Sequence, residues 1–205
     1  MNLKIQEQTS VFNFEDYKKL VIKDYYTIFL SRETSILGRR EVLSGKGKFG
    51  IFGDGKELPQ IAMNHFIENG DFRSGYYRDQ TLLIAQGYLT PEDHFAALYA
   101  HPDIKYEPMS AGRQMVGHFS SKLIDENGNW LDQTKQINHI SDVSSIGAQM
   151  PRLVGLAQAS KIYRKLDIKG SEKFSKNGNE IAWGTIGNAG TSEGLFFEAI
   201  NAIGV

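Results

Sequence analysis

Gly187, Asn188, Ala189 and Gly190 stand between a short apolar stretch at 180–186 and an apolar-faced run at 195–205. The pattern reads as a strand, a glycine-rich turn and a helix. A strand that delivers its chain to a helix N-terminus leaves several N–H groups unpaired, and the helix dipole adds partial positive charge there. Glycines let the backbone approach phosphate oxygens without a Cβ in the way. Spacing alone leaves two readings, a phosphate cradle or a βα turn that only needs small residues.

Other residues could serve the same chemistry. Arg78 offers a planar cationic fork and Tyr77 a hydroxyl donor; alone, Arg78 reads equally as a surface ion pair. Ile146 alone is simply core. His118 follows Gly112-Arg-Gln-Met115, and a histidine can poise a proton transfer near neutral pH or serve as a hydrogen-bonded structural residue. His65, His94, His101 and His139 lack metal-ligand spacing. No Gly-x-Ser-x-Gly elbow and no Walker A motif occurs.

The elements that must position these residues follow from periodicity. Asn13 and Asp16 pair as a cap ahead of Phe14, Tyr17, Leu20, Val21, Tyr25, Ile28 and Phe29, predicting a helix that runs to about Leu37 and stops at Gly38. Residues 44–55 read as a loop, 58–67 as a second helix, and 72–78 as a short segment before a helix at 80–86. Thr90, Pro91 and Asp93 mark a helix start, with the end near His101-Pro102. Residues 106–138 are irregular, with a turn at 125–129. A strong helix at 147–166 carries Ala148, Leu153, Leu156, Ala157 and Ile162 inward. Residues 170–179 are polar and read as mobile. Helices, loops and at least one buried strand predict an α/β fold.

The 205 residues are 40% hydrophobic and 11% aromatic, enough for a core, and the net charge of -1 leaves no footprint for nucleic acid or an anionic membrane. With no cysteine, disulfides, thiolate zinc sites and cysteine nucleophiles are excluded. No leader-like run opens the chain and no stretch nears the length of a membrane span. The expectation is a soluble, cytoplasmic protein.

Four blocks in order carry a resemblance to a known family. The run Gly187-Asn-Ala-Gly-Thr-Ser-Glu-Gly194, followed by Phe197-Glu-Ala-Ile-Asn201, resembles the first half of the thiamine-diphosphate motif. It is similar to the α region of 2-oxo acid dehydrogenases, the decarboxylating component, where Gly-Asp-Gly-Ala-Thr-Ser-Glu-Gly is typical. Tyr77-Arg78-Asp79, Gly112-Arg-Gln-Met115 and 144–151 (Ser-Ser-Ile-Gly-Ala-Gln-Met-Pro) match further blocks. The resemblance runs from about Tyr17 to Val205.

It implies an incomplete thiamine-diphosphate-binding fold, a parallel sheet flanked by helices behind a helical N-terminal segment. Residues 1–57 would form that segment and its loop, and 58–205 a partial cofactor domain. Tyr77, Arg78, Ser144, Ile146, Gly187, Asn188, Ala189 and Gly190 would meet the cofactor, with Ile146 wedging it into a bent shape. Asn188 stands where the family has an aspartate on Mg2+; its amide oxygen can still ligate, with one fewer negative charge. Ala189-Gly190 inverts the usual order. Gly53-Asp54-Gly55 has the usual letters without a buried strand ahead of it and is assigned no metal. Phe49 and Phe52, beside it, would shape a substrate pocket, and His118 is the candidate catalytic residue.

The implied reaction decarboxylates a 2-oxo acid, pyruvate or a branched-chain acid, and passes the acyl group to a lipoyl arm. The implied partners are a β region or subunit and a lipoyl-bearing acyltransferase, with an oligomer in the full-length form. Because the chain lacks the β side and the second motif half, it is expected to be inactive alone. The alternative is a non-catalytic assembly or binding module that keeps the fold.

Overall fold

The computed structural model describes residues 13–205. The opening stretch read for a leader, and the first twelve residues of the predicted 1–57 segment, lie outside the described residues. Helix α1 (Phe14–Leu43) starts as predicted: the Asn13 side chain accepts from the Asp16 N–H at 2.9 Å. It runs on through Gly38, where a stop was expected. An internal glycine costs a helix only about 1 kcal/mol, and here the missing side chain seats Phe52, whose ring atom Cε1 would lie 2.4 Å from a Cβ.

The buried face of α1 is also not the expected apolar stripe. Thr27, Ser31, Thr34, Ser35 and Gly38 face inward, while Phe14, Tyr17, Val21, Tyr25 and Phe29 are exposed. Small hydroxyl side chains let α1 lie close to α3 (Gln80–Ala85) and bond to it. Ser31 and Thr81 share a 2.7 Å hydroxyl bond, and Gln80 Nε2 donates to the Ser31 carbonyl at 2.9 Å. Helix α2 (Glu57–Asn64) ends earlier than its predicted limit and is tied to α1 by a bidentate Arg32–Glu57 pair. Helix α4 (Pro91–Leu98) has the full Thr90–Asp93 capping box and stops before His101. Phe52, Leu98 and Val116 form a buried cluster, with Val42, Phe95 and Ala97 around it.

Three parallel strands confirm the α/β class. Strand β1 (Phe72–Tyr76) lies between β2 (Asn138–Val143) and β3 (Ala182–Gly184). Strand β2 was not expected, because it buries Asn138, His139 and Asp142 and so lacks an apolar signature. The irregular stretch before it contains the predicted turn, where Asp125 Oδ1 accepts from the N–H groups of Asn127 and Asn129. Helix α5 (Gln149–Lys165) packs on β1 and β3, with Leu153 against Gly184. Its inward face runs through Gln149, Met150 and Ser160, and Ala157 and Ile162, expected inside, are exposed. Among the described residues the sheet is three strands wide, and this face ends in a polar contact, Ser160 Oγ to Glu180. The Glu180 carboxylate also accepts from Ser175 Oγ and the Lys176 N–H, tying down the polar 170–179 segment. Helix α6 (Gly194–Gly204) packs on α5.

Candidate functional site

All three strands end on the same side, and the segments that follow them meet there. Ligands of parallel α/β sheets bind outside the carboxyl ends of the strands. Tyr77 and Arg78 come from the turn after β1, Ser145, Ile146 and Gly147 from the loop after β2, and Ile186 to Gly190 from the turn after β3. Together with Tyr76, Lys56 and Gln149 they line one cleft. Of the predicted cofactor residues, Tyr77, Arg78, Ile146, Gly187, Asn188, Ala189 and Gly190 are brought together. Ser144 does not line this cleft.

The cleft is electropositive. Among the described residues its lining includes Lys56 and Arg78 and no carboxylate. Among the described residues Arg78 forms no ion pair; Nη1 makes one long contact to the Phe52 carbonyl at 3.5 Å, and the guanidinium lies 5.9 Å from the Tyr77 ring centroid. The ion-pair alternative is therefore not realised there. Tyr76 adds a hydroxyl that burial, helped by Asp79, pushes up to about 12, so it remains a donor through neutral pH.

The glycine-rich turn differs in detail from a simple strand–turn–helix. A 3₁₀ turn at Asn188–Ser192 stands before α6, which begins only at Gly194. The N–H groups of Gly187, Asn188 and Ala189 donate to no acceptor among the described residues. A Cβ on Gly190 would lie 2.9 Å from Ile186 and 3.3 Å from Ile146, so this glycine lets the turn settle against two isoleucines. Ile146 itself is 52% exposed, which removes the reading of it as plain core. Gln149 donates to the Thr185 carbonyl at 2.9 Å, while its buried Oε1 has no donor among the described residues. Two cations, two phenols and three free N–H groups fit a diphosphate. A metal fits less well on the chain's own groups, since the cleft offers the Asn188 amide without a carboxylate. Among the described residues no group of three or more histidines and acids could hold a metal.

His118 lines a neighbouring cavity that shares Tyr76 and Tyr77 with the cleft. Its Nδ1 lies 3.0 Å from the Met115 carbonyl, and its Nε2 is in contact with Ser144 Oγ. A carbonyl can only accept, so Nδ1 carries a proton. The neutral ring then presents Nε2 as acceptor to the Ser144 hydroxyl. Phe49 is on the surface and lines neither space, and Phe52 is a core residue whose carbonyl faces Arg78. Asp54, in the Gly53-Asp54-Gly55 run, pairs with Arg39 at 2.6 Å.

Beneath the cleft lies a charge cluster that periodicity could not find. Arg73 is fully buried and donates to Asp79 Oδ2 at 2.9 Å, Asp142 Oδ1 at 2.5 Å and His139 Nδ1 at 3.1 Å. Burial pushes Asp142 up to about 6 against the pull of Arg73, with Asp79 adding to the rise. Burial, then Arg73, pushes His139 down to about 2. The one sequence signal was the Asp79 of Tyr-Arg-Asp. Lys56 and Tyr76 each adjoin a run already noted, and Gln149 lies within the 144–151 block.

Comparison with known proteins places this geometry in context. Residues 30–203 match the family described as dehydrogenase E1 component. A protein of Bacillus subtilis (strain 168) named 2-oxoisovalerate dehydrogenase subunit alpha is 28% identical over 182 residues, which is 86% of this chain and 45% of that protein. The Caenorhabditis elegans protein named 2-oxoisovalerate dehydrogenase subunit alpha, mitochondrial, is 26% identical over 195 residues, covering 95% of this chain and 36% of that one. The chain thus spans less than half the length of these relatives. Among the described residues no helix is long and apolar enough to cross a membrane.

Proposed function

This chain belongs to the dehydrogenase E1 component family, and from that premise we propose that it forms the diphosphate-holding part of the α region of a thiamine-diphosphate-dependent 2-oxo acid dehydrogenase. The observation that carries the proposal is the cleft itself. Segments from the ends of three strands converge on a space that has, among the described residues, two cations, free N–H groups and no carboxylate. The relatives' names point to a branched-chain 2-oxo acid such as 2-oxoisovalerate, with pyruvate the other candidate.

Arg78 and Lys56 would neutralise the diphosphate, with Tyr77, Tyr76 and the N–H groups of Gly187, Asn188 and Ala189 as donors. Asn188 would give its amide oxygen to a Mg2+ whose remaining charge balance comes from the diphosphate. Ile146 and Gly190 would form an apolar support. When bound, thiamine diphosphate supplies the electron sink for loss of carbon dioxide. His118 would hold or move a proton at Nε2, with Ser144 fixing the ring. Phe52 would act on the substrate side only by placing Arg78 through its carbonyl, and Phe49 by contacts the cleft itself does not include.

A β region or subunit would complete the site, and a lipoyl-bearing acyltransferase would take the acyl group in an oligomeric, cytoplasmic enzyme. The chain alone would then be inactive. The test is calorimetric titration of thiamine diphosphate with Mg2+ into the full-length protein and its Arg78→Ala variant. Magnesium-dependent binding that weakens at least tenfold in the variant supports the reading. No binding with the β region present would instead support a non-catalytic module.

A further inference from the structure

We infer that Thr185 and Asp79 form a positioning clamp that holds the two halves of the diphosphate cradle against each other. The inference rests on the cleft being the diphosphate site. The halves are the Tyr77-Arg78 turn after β1 and the Gly187–Gly190 turn after β3, more than a hundred residues apart in sequence. The β1–β3 ladder stops at the pair Ser74 and Gly184, so backbone pairing ends before either turn begins.

Past that point one carboxylate oxygen takes over. Asp79 Oδ2 accepts from Thr185 Oγ1 at 2.5 Å, from the Tyr76 N–H at 3.3 Å and from Arg73 Nε at 2.9 Å. The Tyr76 bond, with Asp79 N donating to the Tyr76 carbonyl at 3.1 Å, closes the turn that carries Tyr77 and Arg78. The Thr185 bond ties that closed turn to the residue two before Gly187. Asp79 is 1% exposed, and it reaches this place over Gly75, where a Cβ would lie 2.2 Å from its Oδ2. Arg73, itself anchored by Asp142 and His139, keeps the carboxylate from turning away. Thr185 does not itself line the cleft, so it is a positioning residue.

The clamp predicts coupling between Thr185 and Arg78 in cofactor binding. The full-length protein, assembled with its β region, is titrated with thiamine diphosphate and Mg2+ as wild type, Thr185→Val, Thr185→Ser, Arg78→Lys and the Thr185→Val/Arg78→Lys double variant. Thermal melts of the unliganded proteins accompany the titrations. The expected result is about tenfold weaker binding for Thr185→Val and near wild-type binding for Thr185→Ser, which keeps the hydroxyl. The double variant should bind little worse than Arg78→Lys, because a displaced turn has already lost the fork's geometry. A purely structural role would lower the melting temperature and leave the two effects additive. Wild-type affinity in Thr185→Val, failure of Thr185→Ser to restore binding, or full additivity overturns the clamp. Unchanged binding in Arg78→Ala overturns the reading of the cleft itself, and the clamp with it.

Discussion

Arg73 on β1 and Asp142 on β2 meet at 2.5 Å, and both side chains are essentially out of water. Breaking a buried pair leaves an uncompensated charge, which costs more than the pair itself contributes. Arg73→Met should therefore destabilise the fold by about 3–5 kcal/mol, since it leaves two buried carboxylates unpaired. Arg73→Met/Asp142→Leu should recover part of that loss by removing one of them. Urea denaturation of the three proteins checks the order; a double variant no more stable than the single one would contradict it.

Two members of this cluster, with His94 outside it, set a pH dependence. Burial pushes His94 down to about 4 and His139, with help from Arg73, down to about 2, so the folded chain keeps both neutral where the unfolded chain takes protons. Their contributions are present above about pH 6.5 and are lost as pH falls toward those values. Asp142 runs the other way. Its folded value of about 6 lies above its ordinary 3.8, so its contribution is present below pH 3.8 and is lost as pH rises through 6. From pH 6 to 4 the unfolded state binds a net of about one more proton than the folded state at these three groups, which lowers stability by about 1.4 kcal/mol per unit. The carboxylates of Glu57, Glu107 and Glu180, held below their usual range, add to the fall. Asp142→Asn removes the opposing group, so the slope should steepen by about 1 kcal/mol per unit. Denaturation midpoints at several pH values measure it, and an unchanged slope would refute the assignment.

The parts of this fold that follow local rules were legible in the sequence. The Asn13 and Thr90 caps and the turn at Asp125 use side chains that bond their own backbone, and they are present as read. What stayed hidden was burial of polar groups. Ser31, Thr34 and Ser35 look like a solvated helix face, and Arg73, His139 and Asp142 do not look like strand interior, yet all are buried, Thr34 by bonding back to the Leu30 carbonyl and the others through partners distant in sequence. Periodicity reports apolar burial only. The cleft was legible through its motifs, whereas Thr185 belongs to none of them and shows its role only in three dimensions.

Phe49 and Phe52, three positions apart in the same loop, should behave differently. Phe52 is 4% exposed against Leu98 and Val116, and its ring fills the gap left by Gly38. Phe52→Ala should cost about 3–5 kcal/mol through the cavity it leaves. Phe49 is half exposed, and Phe49→Ala should change stability by less than about 0.5 kcal/mol. Thermal melts of the two variants distinguish core from surface, and equal losses would show that the loop packs otherwise.

Asn188 gives the cleft its most direct electrostatic test. The residue is exposed at the start of the 3₁₀ turn, and among the described residues the lining around it contains Lys56 and Arg78 and no acid. Hard divalent cations prefer anionic oxygens, and an amide oxygen brings no charge to the coordination. Asn188→Asp should therefore lower the Mg2+ concentration needed for half-maximal thiamine-diphosphate binding by about tenfold, which is the effect of about 1.4 kcal/mol. In Mg2+-free buffer the same substitution should weaken diphosphate binding, because the new carboxylate then faces the anion without a cation between them. Titrations with and without Mg2+ separate these opposite signs. A substitution that shifts both titrations in the same direction would place the metal away from residue 188.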